Sequence, residues 1–132
     1  MPRQEETAFD LSHTYIQLRD GPDAIPVPVG NDFWERIAER TELQEGRLVM
    51  VGSQSEDWNH WEMHPAGEEV LYLLSGALDL VLQHGNDNPR TVELRSGTAF
   101  IVTRGTWHRG IVRSPYAMLS ITYGAGTQHR AL

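Results

Sequence analysis

From Arg47 onward the chain is a succession of short apolar runs punctuated by Gly, Asn and Pro, and this pattern constrains the fold more than any other feature. The expected strands are 47–53, 61–64, 69–75, 78–83, 91–94, 99–102, 107–112 and 117–123. Between them, His84-Gly-Asn-Asp-Asn-Pro89 reads as a hairpin loop, and Arg95-Ser96-Gly97 and Arg104-Gly105 mark further reversals. Many short strands with frequent turns imply an all-β barrel or sandwich. At 132 residues the chain suits one domain with a real core.

The region before residue 47 reads differently. Residues 1–13 are polar and are expected to form a loose arm, followed by a short strand over 14–18 and a turn at Arg19-Asp20-Gly21-Pro22-Asp23. Pro26 and Pro28 each lack an N–H donor, so 25–29 is an edge strand or an extended connector. Asn31 or Asp32 is expected to cap one helix over 32–42, with Phe33, Trp34, Ile37 and Ala38 at helical spacing and Gly46 beyond its end. The organisation is then an arm and helix over 1–46 packed on a barrel over 47–132, one domain in all.

Composition narrows the chemistry. There is no Cys, so thiolate nucleophiles, disulfides and thiolate metal sites are excluded and a bound metal must rest on nitrogen and oxygen. All eleven basic residues are Arg, which excludes Schiff-base and lysine general-base mechanisms. A formal charge of −7 with dispersed Arg argues against nucleic acid as a partner. No apolar run is long enough to span a bilayer, and the N-terminus carries no apolar leader segment. No membrane association and a cytoplasmic location are the expectations.

Glu62-Trp-Met-His64-Pro-Ala-Gly-Glu68-Glu69 is the stretch that carries chemistry. In an extended segment Glu62 and His64 share one face, with Trp61 and Met63 on the other, and Pro65-Ala66-Gly67 can turn a carboxylate back beside them. Either Glu68 or Glu69 satisfies that geometry. Gly97, Gly105 and His108 offer a second imidazole from a distant strand and turn. Trp58, Trp61, Trp107, Met63 and Tyr72 are expected in core or interface positions, and Arg104 on an exposed turn. His60, four residues before His64, is expected to face it only on a helix, which Pro65 and the strand pattern disfavour, and His13, His84 and His129 fall in expected tails or loops and carry no assignable role.

These residues resemble the cupin family of small β-barrels, of the jelly-roll or double-stranded β-helix type. Glu62-x-His64-x4-Glu69-x6-Gly76 matches the first cupin motif at its last three fixed positions, and Gly97, Gly105 and His108 match the second. The resemblance covers roughly 47–123. Three positions depart: Glu62 replaces the first His of the motif, Thr103 a Pro, and Val112 an Asn. The motif spacing selects Glu69 over Glu68. By resemblance the metal ligands are Glu62, His64, Glu69 and His108, holding a divalent transition metal such as Fe, Mn, Ni or Zn. Glu62 is either a fourth ligand or a general base with a catalytic role.

The resemblance implies a small-molecule substrate or ligand inside the barrel and a homodimer. The leading functional expectation is a dioxygenase-like oxidoreductase using open metal positions. The rivals are a non-enzymatic module that senses a small molecule or a metal, and a metal-assisted isomerase, epimerase or lyase.

Overall fold

The computed structural model describes residues 7–132, and its order is β1 (Thr14–Leu18), β2 (Ala24–Pro28), α1 (Phe33–Arg36), β3 (Arg47–Gln54), β4 (His60–Met63), β5 (Glu69–Gln83), β6 (Arg90–Arg95), β7 (Ala99–Val102), β8 (Trp107–Thr122) and β9 (Gln128–Ala131). Residues 1–6 of the expected polar arm lie outside the described residues. The fold is mainly β, as expected, and its nine strands pair antiparallel without closing into a ring.

Two long strands organise it. Each was expected as two shorter ones, over 69–75 and 78–83 and over 107–112 and 117–123, but β5 and β8 each run through both halves and pair with one another almost end to end. The first half of β5 and the second half of β8 belong to one layer, ordered β2, β1, β3, β8, β5, β7. Their other halves belong to a second layer, ordered β9, β4, β8, β5, β6. The result is a two-layer jelly roll whose layers share two bent strands.

The bend in β5 has a specific cause. Inward residues are Leu71 and Leu73 before it and Leu78, Leu80 and Leu82 after it, so the buried parity changes from odd to even. A register irregularity between Leu73 and Leu78 supplies the shift. Gly76 sits within it at φ 82, and a Cβ there would stand 2.1 Å from the Pro115 carbonyl oxygen. Only glycine lets β5 cross β8 at this point. The leucines then meet Leu94, Val102, Tyr116 and Met118 in one core between the layers.

The N-terminal region departs from expectation in its helix. Helix α1 is one turn, Phe33–Arg36, followed by 3-10 turns at Ile37–Glu39 and Thr41–Gln44, in place of a helix over 32–42. Asp32 makes no capping bond and pairs with Arg36 at 2.9 Å instead. Gln17 donates to the carbonyls of Glu42 and Glu45 at 2.7 and 2.9 Å, fixing the chain after the break at Arg40. Phe33 and Leu43 thereby reach Tyr15 and Val27 in a second apolar cluster. Strand β2, with both prolines, is an edge strand pairing only with β1.

Gly85 also has positive φ, but its Cβ position is open. Gly85→Ala should therefore cost about 1–2 kcal/mol from backbone conformation alone. Gly76→Ala adds the clash with Pro115 and should cost about 3 kcal/mol or more. Urea unfolding midpoints of the two variants check this; equal losses would contradict the crossing argument.

Candidate metal centre

Glu62, His64, Glu69 and His108 converge, with one ligand atom from each lying within 4.8 Å of all the others. Four elements place them. Glu62 is on β4 directly opposite His108 on β8, and Glu69 opens β5. His64 follows β4 at the turn, whose Gly67 lies against the Tyr123 ring where a Cβ would not fit. The Gly105 N–H donates to the His64 carbonyl at 3.1 Å, so the second motif's turn is tied to the first motif's histidine. Glu69 is buried and Glu68 exposed.

The donor chemistry fits a cation. Nε2 of His64 lies 3.0 Å from Glu62 Oε1 and 3.3 Å from Glu69 Oε2, and Nε2 of His108 lies 3.2 Å from Glu69 Oε1. Both nitrogens are buried without an aligned hydrogen-bond partner, an arrangement that costs free energy unless something binds them. The opposite edges of both rings are engaged. His108 Nδ1 donates to the Thr106 carbonyl at 3.1 Å, which leaves its Nε2 facing the cluster. Thr127 Oγ1 gives its own proton to the Gly124 carbonyl at 2.8 Å, so it accepts from His64 Nδ1 at 2.9 Å. These are the outer hydrogen bonds that orient imidazole ligands.

Charge is balanced against burial. Burial pushes the Glu69 carboxyl up, but His108 and His64 outweigh it and hold its pKa down at about 2. A hydrogen bond from Thr122 Oγ1 also reaches Glu69. At His64 burial disfavours the imidazolium, and the Glu62 and Glu69 carboxylates reverse this, raising its pKa from 6.5 to about 9. Burial likewise raises Glu62, yet His64 beside it leaves the net shift downward, so Glu62 is ionised at neutral pH. Two carboxylates and two imidazoles with their Nε2 edges turned inward suit a divalent transition ion once His64 has given up its proton.

Glu62 differs from the other three. Its side chain is 25% exposed, against 5% for His64, 7% for Glu69 and 0% for His108. It also lines a pocket of about 400 Å³ formed by residues 54–60. Trp58 roofs the site: its ring meets His108 edge-on at 5.9 Å, its Nε1 donates to Tyr116 Oη at 2.9 Å, and it occupies the space a Cβ on Gly110 would need. Trp61 faces away, with the Arg109 and Arg130 guanidiniums 5.3 and 5.1 Å from its ring centroid, and Arg104 is exposed.

Three residues near the site had no role in the sequence reading. Thr127 carried no motif. His129, expected in a tail, lies on β9, which pairs with β4 and sets His129 opposite Glu62. His60 shares the face of Glu62 by strand alternation, the parity signal that could have found it.

Because the His64 proton must leave before a cation can bind its Nε2, affinity should weaken about tenfold per pH unit below about 9, with about one proton released per ion. Calorimetry in two buffers of different ionisation enthalpy measures that proton; no buffer dependence would contradict it. In metal-free protein the His64 contribution to stability is full below 6.5 and is lost as pH rises through about 9. Thr127→Val should lower Zn(II) affinity ~10–100-fold with the fold intact, measured by competition with a chelating dye; unchanged affinity would remove Thr127 from the account.

The fold has solved counterparts. Oxalate decarboxylase from Bacillus subtilis, a protein with Mn(II) centres, superposes with a TM-score of 0.55 at 17% identity, over 65% of this chain and 24% of that one. Oxalate oxidase gives 0.52 at 17% identity, over 61% and 44%. The hydroxypropylphosphonic acid epoxidase from S. wedmorenis gives 0.50 at 17% identity, over 58% and 43%. The matched part spans less than half of each of these chains, and at such identity the likeness is one of fold. No curated protein matches in sequence. The family model for the cupin domain matches residues 46–122, more than half of the chain, and the protein belongs to the cupin domain family.

Proposed function

We propose that this cupin is a metal-dependent oxidoreductase of the dioxygenase kind, acting on a small molecule bound in the pocket beside Glu62. The observation that carries the reading is the pair of buried Nε2 atoms of His64 and His108, which make no aligned hydrogen bond and are turned toward Glu69 and Glu62. His64, Glu69 and His108 are the ligands, with Glu62 a fourth and more accessible one. A divalent ion held there would supply Lewis acidity and open positions for substrate and O2.

The chain's own residues define the rest. Trp58 covers the His108 side and limits water access. Glu62, ionised and facing the pocket, can accept a proton from a bound substrate. The pocket wall carries Glu56, Asp57 and Glu62 against His60 alone as a group able to become cationic. That balance favours a neutral or cationic substrate over a dicarboxylate, the class named for the oxalate enzymes of similar fold.

A metal-assisted isomerase or lyase is a second reading, favoured by the same pocket-facing carboxylate. Oxygen consumption by Fe(II)-loaded protein separates the two, and stoichiometric ligand binding without product would point to a sensing module. We further propose a homodimer, because Tyr72, Leu74 and Ile101 stay 38–54% exposed on β5 and β7 at the edge of the first layer. No helix among the described residues is long and apolar enough to cross a membrane.

Glu62→Gln should abolish turnover while metal content stays near the parent level if Glu62 moves the proton. Loss of the metal in that variant assigns Glu62 as an essential ligand. Light scattering at low micromolar concentration should give about twice the 14.9 kDa chain mass; a mass near one chain would end the dimer proposal.

A further inference from the structure

A second set of metal-binding side chains lies on the outer side of Glu62 and takes no part in the buried cluster. His60 precedes Glu62 by two residues on β4, and His129 faces Glu62 from β9. Nε2 of His60 and Nε2 of His129 each lie 3.7 Å from the same oxygen, Glu62 Oε2. The two rings stand 4.9 Å apart between centroids, and the ligand atoms of the three residues lie within 4.8 Å of one another.

The carboxylate is divided between two environments. Its Oε1 points to buried His64 at 3.0 Å, while Oε2 points to the exposed pair. His60 is also oriented for ligation: its Nδ1 lies 2.8 Å from Asn59 Oδ1, an oxygen that only accepts, so Nδ1 donates there and Nε2 is the nitrogen turned toward Glu62. With side chains 38% and 58% exposed, His60 and His129 contribute little to the core. Strand β9 is exposed throughout, so packing does not account for the convergence.

We propose that His60, His129 and Oε2 of Glu62 form a second divalent-cation site, bridged by Glu62 to the buried one. Two imidazoles and one carboxylate with open positions fit Zn(II) and its borderline neighbours. His60 and Glu62 both line the pocket, so the outer ion would face it. Filling this site commits both oxygens of Glu62 and removes its proton-accepting role. The bridge rests on the buried-site reading given above; the outer site does not.

The test uses the full chain without a histidine tag, stripped by chelator and dialysed against Zn(II) alone, with bound zinc counted by elemental analysis. The parent should bind two ions per chain, the His60→Ala/His129→Ala double variant one, and His108→Ala one. Glu69→Gln replaces His108→Ala if that variant does not fold. The double variant should keep the parent's unfolding midpoint, because both replaced side chains are exposed. One ion per parent chain, lost in His108→Ala and kept in the double variant, overturns the outer site and leaves the proposed function standing. One ion lost in the double variant but kept in His108→Ala supports the outer site and overturns the buried one. No bound zinc overturns both.

Discussion

Glu69 is a buried carboxylate, and the structure around it keeps it charged. Removing a carboxylate from water costs several kcal/mol even after relaxation, and here the Thr122 hydroxyl and the His64 and His108 imidazoles offset that cost. Those partners come from different segments. Thr122 and His108 are at opposite ends of β8, whereas His64 stands at the turn between β4 and β5. Holding Glu69 therefore requires both layers of the jelly roll to be in register, which couples the site to the global fold.

The long β5–β8 ladder provides that register. Because both strands bend and pass from one layer to the other, Glu69 at the start of β5 can lie beside His108 at the start of β8, although the ladder sets Leu82 opposite His108. The crossing depends on the closeness of Gly76 to Pro115 and Tyr116. The orientation of the cluster-facing edges of the imidazoles then follows from hydrogen bonds made behind them, by Thr106 and Thr127. Glu62, where the first cupin motif has a histidine, gives the site an anionic edge open to the pocket and a second oxygen free to serve other groups.

Much of this was legible in the chain. Alternation marked most strands, and the parity of Glu62 and His64 placed them on one face. The residues alone left Glu68 and Glu69 open, and the resemblance to the cupin motif, through its interval to Gly76, selected Glu69, which is buried while Glu68 is exposed. The breaks in β5 and β8 were read as strand ends because Gly and Pro ordinarily stop strands, whereas here they allow a bulge and a bend. The helix failed because only Phe33 and Ile37 of its four apolar positions join the cluster around Tyr15 and Val27, whereas Trp34 and Ala38 are exposed. Strand β9 was illegible in physical terms: Gln-His-Arg-Ala has no apolar face, and it is a strand only because β4 offers a free edge. With β9 unseen, Thr127 and His129 could not be placed.

We propose that the interior of this jelly roll holds a divalent cation between His64, Glu69, His108 and Glu62. Anomalous diffraction from crystals grown with Mn(II) or Co(II), collected on both sides of the metal absorption edge, tests it most directly. A peak is expected within bonding distance of Nε2 of His64, Nε2 of His108 and a carboxylate oxygen of Glu69. Well-ordered crystals with no peak among these residues at saturating metal would contradict it.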